Sequence, residues 1–264
     1  MHPAYRLRGI GTVLSEVQIR ENDVTMGLGI TDSAYRAYLR SGWVDLGMLP
    51  SFVRPLDVGA MLARRWPGWA GRLAGAMLDP TLRLAETLSE LSGLLNDVRM
   101  ERIRRFDARA DDLWHSVAEL YPVACRRDGR TLNWRFADYP ERGQYHLFYF
   151  YLGRRMVGYA VLRFRCRDGL RTGFIVDYFC APQDVIWVFS RCLTFFSRRR
   201  VAAVYALCTC PKGAHWLRWL GFVRRRSGCR LMFKANVSDP AVLELLRNPD
   251  SWFVTAGDSD IDRP

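Results

Sequence analysis

Lysine is nearly missing from this chain: Lys212 and Lys234 are the only two, yet the formal net charge is +12. Arginine therefore carries the positive charge, a bias that a GC-rich coding sequence readily produces. The arginines are spread along the chain, with small knots at 102–105, 198–200 and 224–226, and read mostly as solvated surface. A nucleic-acid partner would rest on charge alone and is not expected. Long apolar runs are missing too. The stretches 145–151 and 185–196 are interrupted or too short for the ~18–20 residues that span a bilayer. No apolar core follows the arginines near the N-terminus, so no secretory leader is visible. The seven cysteines (Cys125, Cys166, Cys180, Cys192, Cys208, Cys210, Cys229) include no CxxC pair and are odd in number, which reads as reduced thiols in a cytoplasmic protein. Low-complexity tracts are absent, and 49% of the residues are apolar, so a sizeable core can form within one large domain or two ordinary ones.

What is present divides into three segments. In residues 1–57, a helical pattern at 12–21 precedes a strand candidate at 24–30. Thr31 then offers an N-cap to a helix over 34–40 that stops at Ser41-Gly42. Two strand pieces, 43–46 and 51–54, flank the turn residues Gly47 and Pro50. Residues 58–99 repeat Met, Leu and Trp at three-to-four spacing, broken at Asp79-Pro80, and predict a helical connector with an apolar stripe. Residues 100–264 alternate element types as an α/β domain should. Helices are expected at 111–120, 185–198, 213–220 and 240–248, and strands at 144–151, 156–164, 172–179, 201–208, 222–226 and 230–234.

Arg6-Leu7-Arg8-Gly9-Ile10-Gly11 places glycines before a helix, where backbone N–H groups can approach a phosphate and the helix N-terminus favours its charge. The run matches R/Q-x-x-G-x-G/A, the phosphate-loop signature of the GNAT acyl-CoA N-acyltransferase superfamily. Alone it is a weak signal. Downstream, Ala34, Tyr38, Arg40 and Gly42 fit that superfamily's second signature, with Trp43 standing for Phe and Thr31 for Asn. The resemblance implies that Arg6, Leu7, Arg8, Gly9, Ile10, Gly11 and Thr12 hold the pyrophosphate of acetyl-CoA or another acyl-CoA. It also implies that Tyr38 protonates the departing thiolate, a plausible task for a phenol whose pKa lies above that of a thiol. The competing reading of Tyr38 is a core tyrosine on an amphipathic helix. Only five residues precede Arg6, so residues 1–57 correspond to the C-terminal half of a GNAT domain, and a fragment or a mis-set start is expected. A sheet edge bared by such a cut would invite self-association.

Residues 100–264 resemble a second, complete GNAT domain of the tandem kind found near bacterial polysaccharide-export genes. The resemblance rests on Thr131-Leu132-Asn133-Trp134-Arg135-Phe136, on Tyr139-Pro140 and Tyr145, and on Val157-Gly158-Tyr159-Ala160-Val161-Leu162-Arg163. Phe174-Ile175-Val176-Asp177-Tyr178-Phe179, Gly221-Phe222 and Ser251-Trp252-Phe253-Val254-Thr255-Ala256-Gly257-Asp258 extend it. The expected fold class is thus α/β (α+β): a mixed central sheet flanked by helices, preceded by a partial GNAT half-domain and a helical connector. This second domain departs from the catalytic pattern, however. Cys180-Ala181-Pro182-Gln183-Asp184 replaces the glycine loop, and Leu217 stands where the acid tyrosine would fall. It is therefore expected to position the acyl acceptor or to be structural.

A base for the acceptor amine is sought among Asp177, which must be paired or face a cavity within an apolar strand, Asp138, Glu141 and His146. Asp177 paired with an arginine is the equal alternative. Cys208, Cys210 and His215 have irregular spacing, and no metal site is expected. The aromatic and basic cluster at 134–135 and 145–151 reads as core rather than a stacking platform. The function implied is an N-acyltransferase taking acyl-CoA and an amine acceptor, connected with cell-surface polysaccharide or lipid modification. The rival is a catalytically inactive GNAT-fold binding module or gene fragment.

Overall fold

The computed structural model describes residues 10–65, 97–139, 142–167 and 169–259. Most of the connector expected at 58–99, and Arg6 to Gly9 of the phosphate-loop motif, lie outside them.

Helix α1 (Ile10–Arg20) leads into β1 (Val24–Leu28) and α2 (Asp32–Arg40). The N-cap of α2 is Thr31, whose Oγ1 accepts from the Ala34 amide at 3.4 Å, and the helix ends where Gly42 turns to a φ of 73°, a left-handed conformation that suits glycine. Strand β2 (Val44–Pro55) replaces the two separate strand pieces expected. The Asp45 carboxylate accepts the Gly47 amide at 2.7 Å, so the chain crosses Gly47 without turning back. Helix α3 (Val58–Arg65) follows, then β3 (Val98–Ile103), α4 (Ala108–Val117), β4 (Val123–Ala124) and the short α5 (Gly129–Leu132). Asp107 and Asp128 cap α4 and α5, accepting the amides of Arg109 at 3.1 Å and Thr131 at 2.7 Å. Next come β5 (Tyr145–Leu152), β6 (Arg155–Arg167), β7 (Leu170–Cys180), α6 (Val185–Ser197), β8 (Ala203–Leu207) and α7 (Pro211–Trp219). The last elements are β9 (Val223–Ala235), α8 (Pro240–Arg247) and β10 (Trp252–Phe253). The expected break near 227–229 is bridged, because the Ser227 hydroxyl meets both the Leu49 carbonyl and the Cys229 amide.

The chain forms two compact units: Met1–Leu49 with Ser227–Ser251, and Pro50–Arg226 with Trp252–Pro264. In the first, β1 runs antiparallel to the end of β9, Val24 opposite Ala235 and Leu28 opposite Leu231. Asn236 secures the same region through Nδ2, which donates to the Asn22 carbonyl at 2.9 Å.

The second unit carries a mixed sheet in which β2, β8, β7, β6, β5 and β3 follow one another. Strands β3, β5, β6 and β7 form an antiparallel meander, and β7 and β8 run parallel because α6 returns the chain between them. Two irregularities fall at β7. Val161 faces Asp177 while Leu162 faces Ile175, which leaves Val176 as a bulge in the strand. The parallel ladder spans only Gly173–Ile175 against Val204–Ala206, although β7 continues to Cys180 and β8 to Leu207. Beyond the bulge the two strands part.

The core of this unit is aromatic: Tyr149, Tyr159, Tyr178, Phe136, Phe150, Phe179, Phe189 and Phe196 are fully buried. Gly158 permits the packing of β6 on β7, since a Cβ there would lie 2.7 Å from both Cys180 Cβ and the Phe179 carbonyl oxygen. A backbone oxygen cannot swing aside. Gly158→Ala is expected to cost about 1–3 kcal/mol, the usual range for overpacking, read as a lower urea midpoint with an unchanged slope.

Candidate functional site

The first unit presents the α1–β1–α2 succession. Ile10, Gly11 and Thr12 form the opening turn of α1, which carries no acidic residue in that turn, so nothing in the helix opposes an anion at its N-terminus. Tyr38 lies on α2, half-buried, with its ring stacked on Trp43 at 4.4 Å and 12°. Gly27 of β1 lies against both rings. The neighbouring Tyr35 is tied down instead: its hydroxyl donates to Asp45 at 2.9 Å, Arg230 pairs with the same carboxylate, and the Arg230 guanidinium covers the Tyr35 ring at 4.3 Å. The hydrogen bond to Asp45 raises the pKa of Tyr35. Tyr35 and Tyr38 thus sit on one short helix in different company.

The second unit places Asp177 at the β7 bulge, buried to 3% exposure. Its Oδ2 accepts the Tyr159 hydroxyl at 2.8 Å and its Oδ1 the Thr255 hydroxyl at 2.6 Å. Arg127, itself 2% exposed, reaches Asp177 at 3.4 Å and Asp258 at 2.6 Å through Nη2. It also donates to the Cys125 carbonyl at 2.8 Å and lies over the Phe253 ring at 4.8 Å. Burial raises the carboxyl of Asp177, against the pull of Arg127. Burial likewise opposes the charge on Arg127, but Asp258 and Asp177 more than offset it and hold the guanidinium firmly protonated. A cavity of about 340 Å³ opens beside this network, lined by Cys125, Arg127, Trp134, Arg135, Asp177 and Asp258 among others.

Between the parted ends of β7 and β8 lies the chain's own C-terminal segment. Past β8, the Thr209 hydroxyl donates to the Trp252 carbonyl at 2.5 Å and accepts the Val254 amide at 2.9 Å. On the β7 side, Phe253 packs edge-on against Tyr178 and Phe179, and Thr255 bonds Asp177. Phe253, Val254 and Ala256 are buried. Thr255 and Asp258 form a reciprocal capping box that sets the turn. The gap is therefore filled with side chains, hydrogen-bonded on both sides.

The remaining sequence candidates are dispersed. Asp138 pairs with Arg105, His146 sits among arginines, and Glu141 lies outside the described residues. Leu217 is buried in α7. Cys208 accepts the Tyr178 hydroxyl at 3.0 Å, and no cluster of three metal-ligating residues occurs among the described residues. The sequence does not reveal Arg127 and Thr255 as Asp177's partners, nor Asp258 as the second carboxylate on Arg127, because 50 to 131 positions separate the bonded pairs. The one local trace is the T-x-x-D run from Thr255 to Asp258. Arg127→Met removes one cation from between two buried carboxylates. It is expected to cost about 3–5 kcal/mol, as loss of one partner of a buried ion pair does, measured as the shift in urea-unfolding free energy.

No family model matches the sequence, and no curated protein matches it. Solved structures do. A GCN5-related N-acetyltransferase from Anabaena variabilis is similar at 13% identity with a TM-score of 0.53, over 89% of this chain and 53% of that one. A conserved protein of unknown function from Enterococcus faecalis, given as a probable N-acyltransferase, is similar at 10% identity with a TM-score of 0.50, over 89% and 52% of the two chains. The chain thus spans about half the length of these structures. At such identities the likeness is one of architecture, and this chain has the fold of the GCN5-related N-acetyltransferases.

Proposed function

We propose that the chain is part of an acyl-CoA-dependent N-acyltransferase, with the donor held by the segment from Arg6 to Thr12. The second unit positions the acceptor or is structural. The observation that carries this reading is the succession α1–β1–α2 with Tyr38 on α2, in the order and spacing of the two sequence signatures. The filled gap between β7 and β8 supports it from the other side, since that place in the second unit has no room for a donor.

When bound, acyl-CoA supplies a thioester whose carbonyl an amine attacks, giving an amide and a free thiol. The chain's part is to hold and to move a proton. The amides of residues 6–12 would take the pyrophosphate, helped by the acid-free first turn of α1. The Tyr38 hydroxyl would donate its proton to the departing sulfur, and the proton released by the amine would restore it. For Asp177, proposed from sequence as the base for the acceptor amine, the bonds from Tyr159, Thr255 and Arg127 support a positioning role, as the anchor of the wall beside the 340 Å³ cavity.

A second reading is a catalytically inactive GNAT-fold module. It draws on the same filled gap and on the buried Leu217 in place of a tyrosine. Calorimetry with acetyl-CoA separates the two. The first reading expects binding that Gly9→Glu abolishes and Tyr38→Phe leaves intact. In a coupled assay with an amine acceptor, Tyr38→Phe is expected to lower turnover about a hundredfold or more, the usual share of a general acid. Binding that Gly9→Glu leaves unchanged would sink the donor assignment.

A further inference from the structure

The second unit gathers cations at the end of its sheet away from the parted strands. Arg102 closes β3, His146 opens β5, Arg171 opens β7, and Arg199 follows the end of α6. They converge on two rings. The His146 ring lies 5.3 Å from Phe164 and 5.8 Å from Phe195. The Arg171 guanidinium covers Phe164 at 4.2 Å, and that of Arg199 covers Phe195 at 3.7 Å. Arg102 reaches His146 Nδ1 at 3.4 Å. Two further bonds link the group, from Arg171 Nη1 to the Arg199 carbonyl at 3.4 Å and from Arg199 Nη1 to the Phe195 carbonyl at 3.0 Å.

Among the described residues, none of the ion pairs includes Arg102, Arg171 or Arg199. By contrast, Arg105, Arg109, Arg127 and Arg155 of the same unit each meet a carboxylate. Arg171 and Arg199 stacked on rings, and Arg102 at the imidazole, are like charges that repel one another, and among the described residues no carboxylate pairs with them. Burial, and then Arg102, Arg199 and Arg171, hold the His146 imidazole below its usual pKa, the sign of a locally positive field. Each guanidinium has five N–H donors, more than the bonds above consume, and its planar fork matches the oxygens of a phosphate. Arg102 also lines a cavity of about 660 Å³, with Arg104 and Arg105 beside it and Phe136 and Leu147 among its apolar walls.

We propose that Arg102, Arg171 and Arg199, grouped around His146, form a binding site for a phosphate group at the end of the sheet opposite the parted strands. The phosphate is carried either by a free small molecule or by a lipid headgroup, and the site is independent of the acyl-donor assignment. An extended nucleic-acid surface fits less well, since the cations are confined to one ring-lined cluster.

The full chain is titrated with inorganic pyrophosphate by calorimetry and with phosphatidylcholine vesicles, with and without phosphatidic acid, by co-sedimentation. Saturable pyrophosphate binding, weakened about tenfold or more by Arg102→Glu and by Arg171→Glu, supports the site with a free ligand, as loss of a charge-assisted bond predicts. Binding only to the vesicles containing phosphatidic acid, with the same sensitivity, supports it with a lipid source. Arg102→Gln, which keeps much of the side chain's reach, serves should a reversal prevent folding, and circular dichroism checks each variant. Absence of binding to either probe overturns the proposal, as does binding that these variants leave unchanged. Binding of an oligodeoxythymidine without either probe also overturns it, in favour of a diffuse polyanion surface.

Discussion

A guanidinium taken fully out of water loses hydration worth several kcal/mol, and Arg127 is among the largest fully buried side chains of the chain. That cost dictates its surroundings. Asp177 and Asp258 supply opposite charge, the Cys125 carbonyl an acceptor, and the Phe253 ring a π face. Because these groups come from the β7 bulge, the turn before α5 and the C-terminal segment, the ion triad welds three remote stretches at one point. Tyr159 and Thr255 complete the shell around Asp177. Arg127 Nε alone of the guanidinium nitrogens is buried without a hydrogen-bond partner, and its charge is met by the two carboxylates instead.

Its position has a chemical consequence. The bulge at Val176 ends the ladder between β7 and β8, and strands that part leave unpaired amides and carbonyls which must find partners. Here the Tyr121 hydroxyl donates to the Cys180 carbonyl at the end of β7, while Thr209 takes the backbone of Trp252 and Val254 in the segment that fills the gap. The same irregularity that could open a cleft is thereby sealed from within. The donor assignment proposed above therefore rests on the segment leading into α1 and not on this gap.

The opposite end of the sheet follows a different electrostatic rule. Around Arg127 charge is neutralised by burial with carboxylates, whereas around His146 Arg171 and Arg199 are supported by aromatic faces, and all three arginines remain exposed to solvent. One arginine-rich composition thus serves both as internal mortar and as an anion-seeking surface. Net charge alone could not separate these uses.

Periodicity and turn chemistry were enough for most elements: α1, α2, β5, β6, β7, α6 and α7 fall close to where apolar spacing, Thr31 and Gly42 put them. Those signals are local, since a cap or an alternating strand is decided within a few residues. The placement of Tyr38 on a helix was legible for the same reason. Only tertiary structure decided that β2 and β9 are continuous, because β2 is laddered to β8 and the Ser227 hydroxyl bonds the distant Leu49 carbonyl. It likewise decided that Asp177 is held by Arg127 and Thr255, and that the run from Trp252 to Asp258 fills the gap beside β8. Partners so far apart in sequence share no period, and their pairing is settled only when a buried charge must be matched by whatever the fold brings within reach.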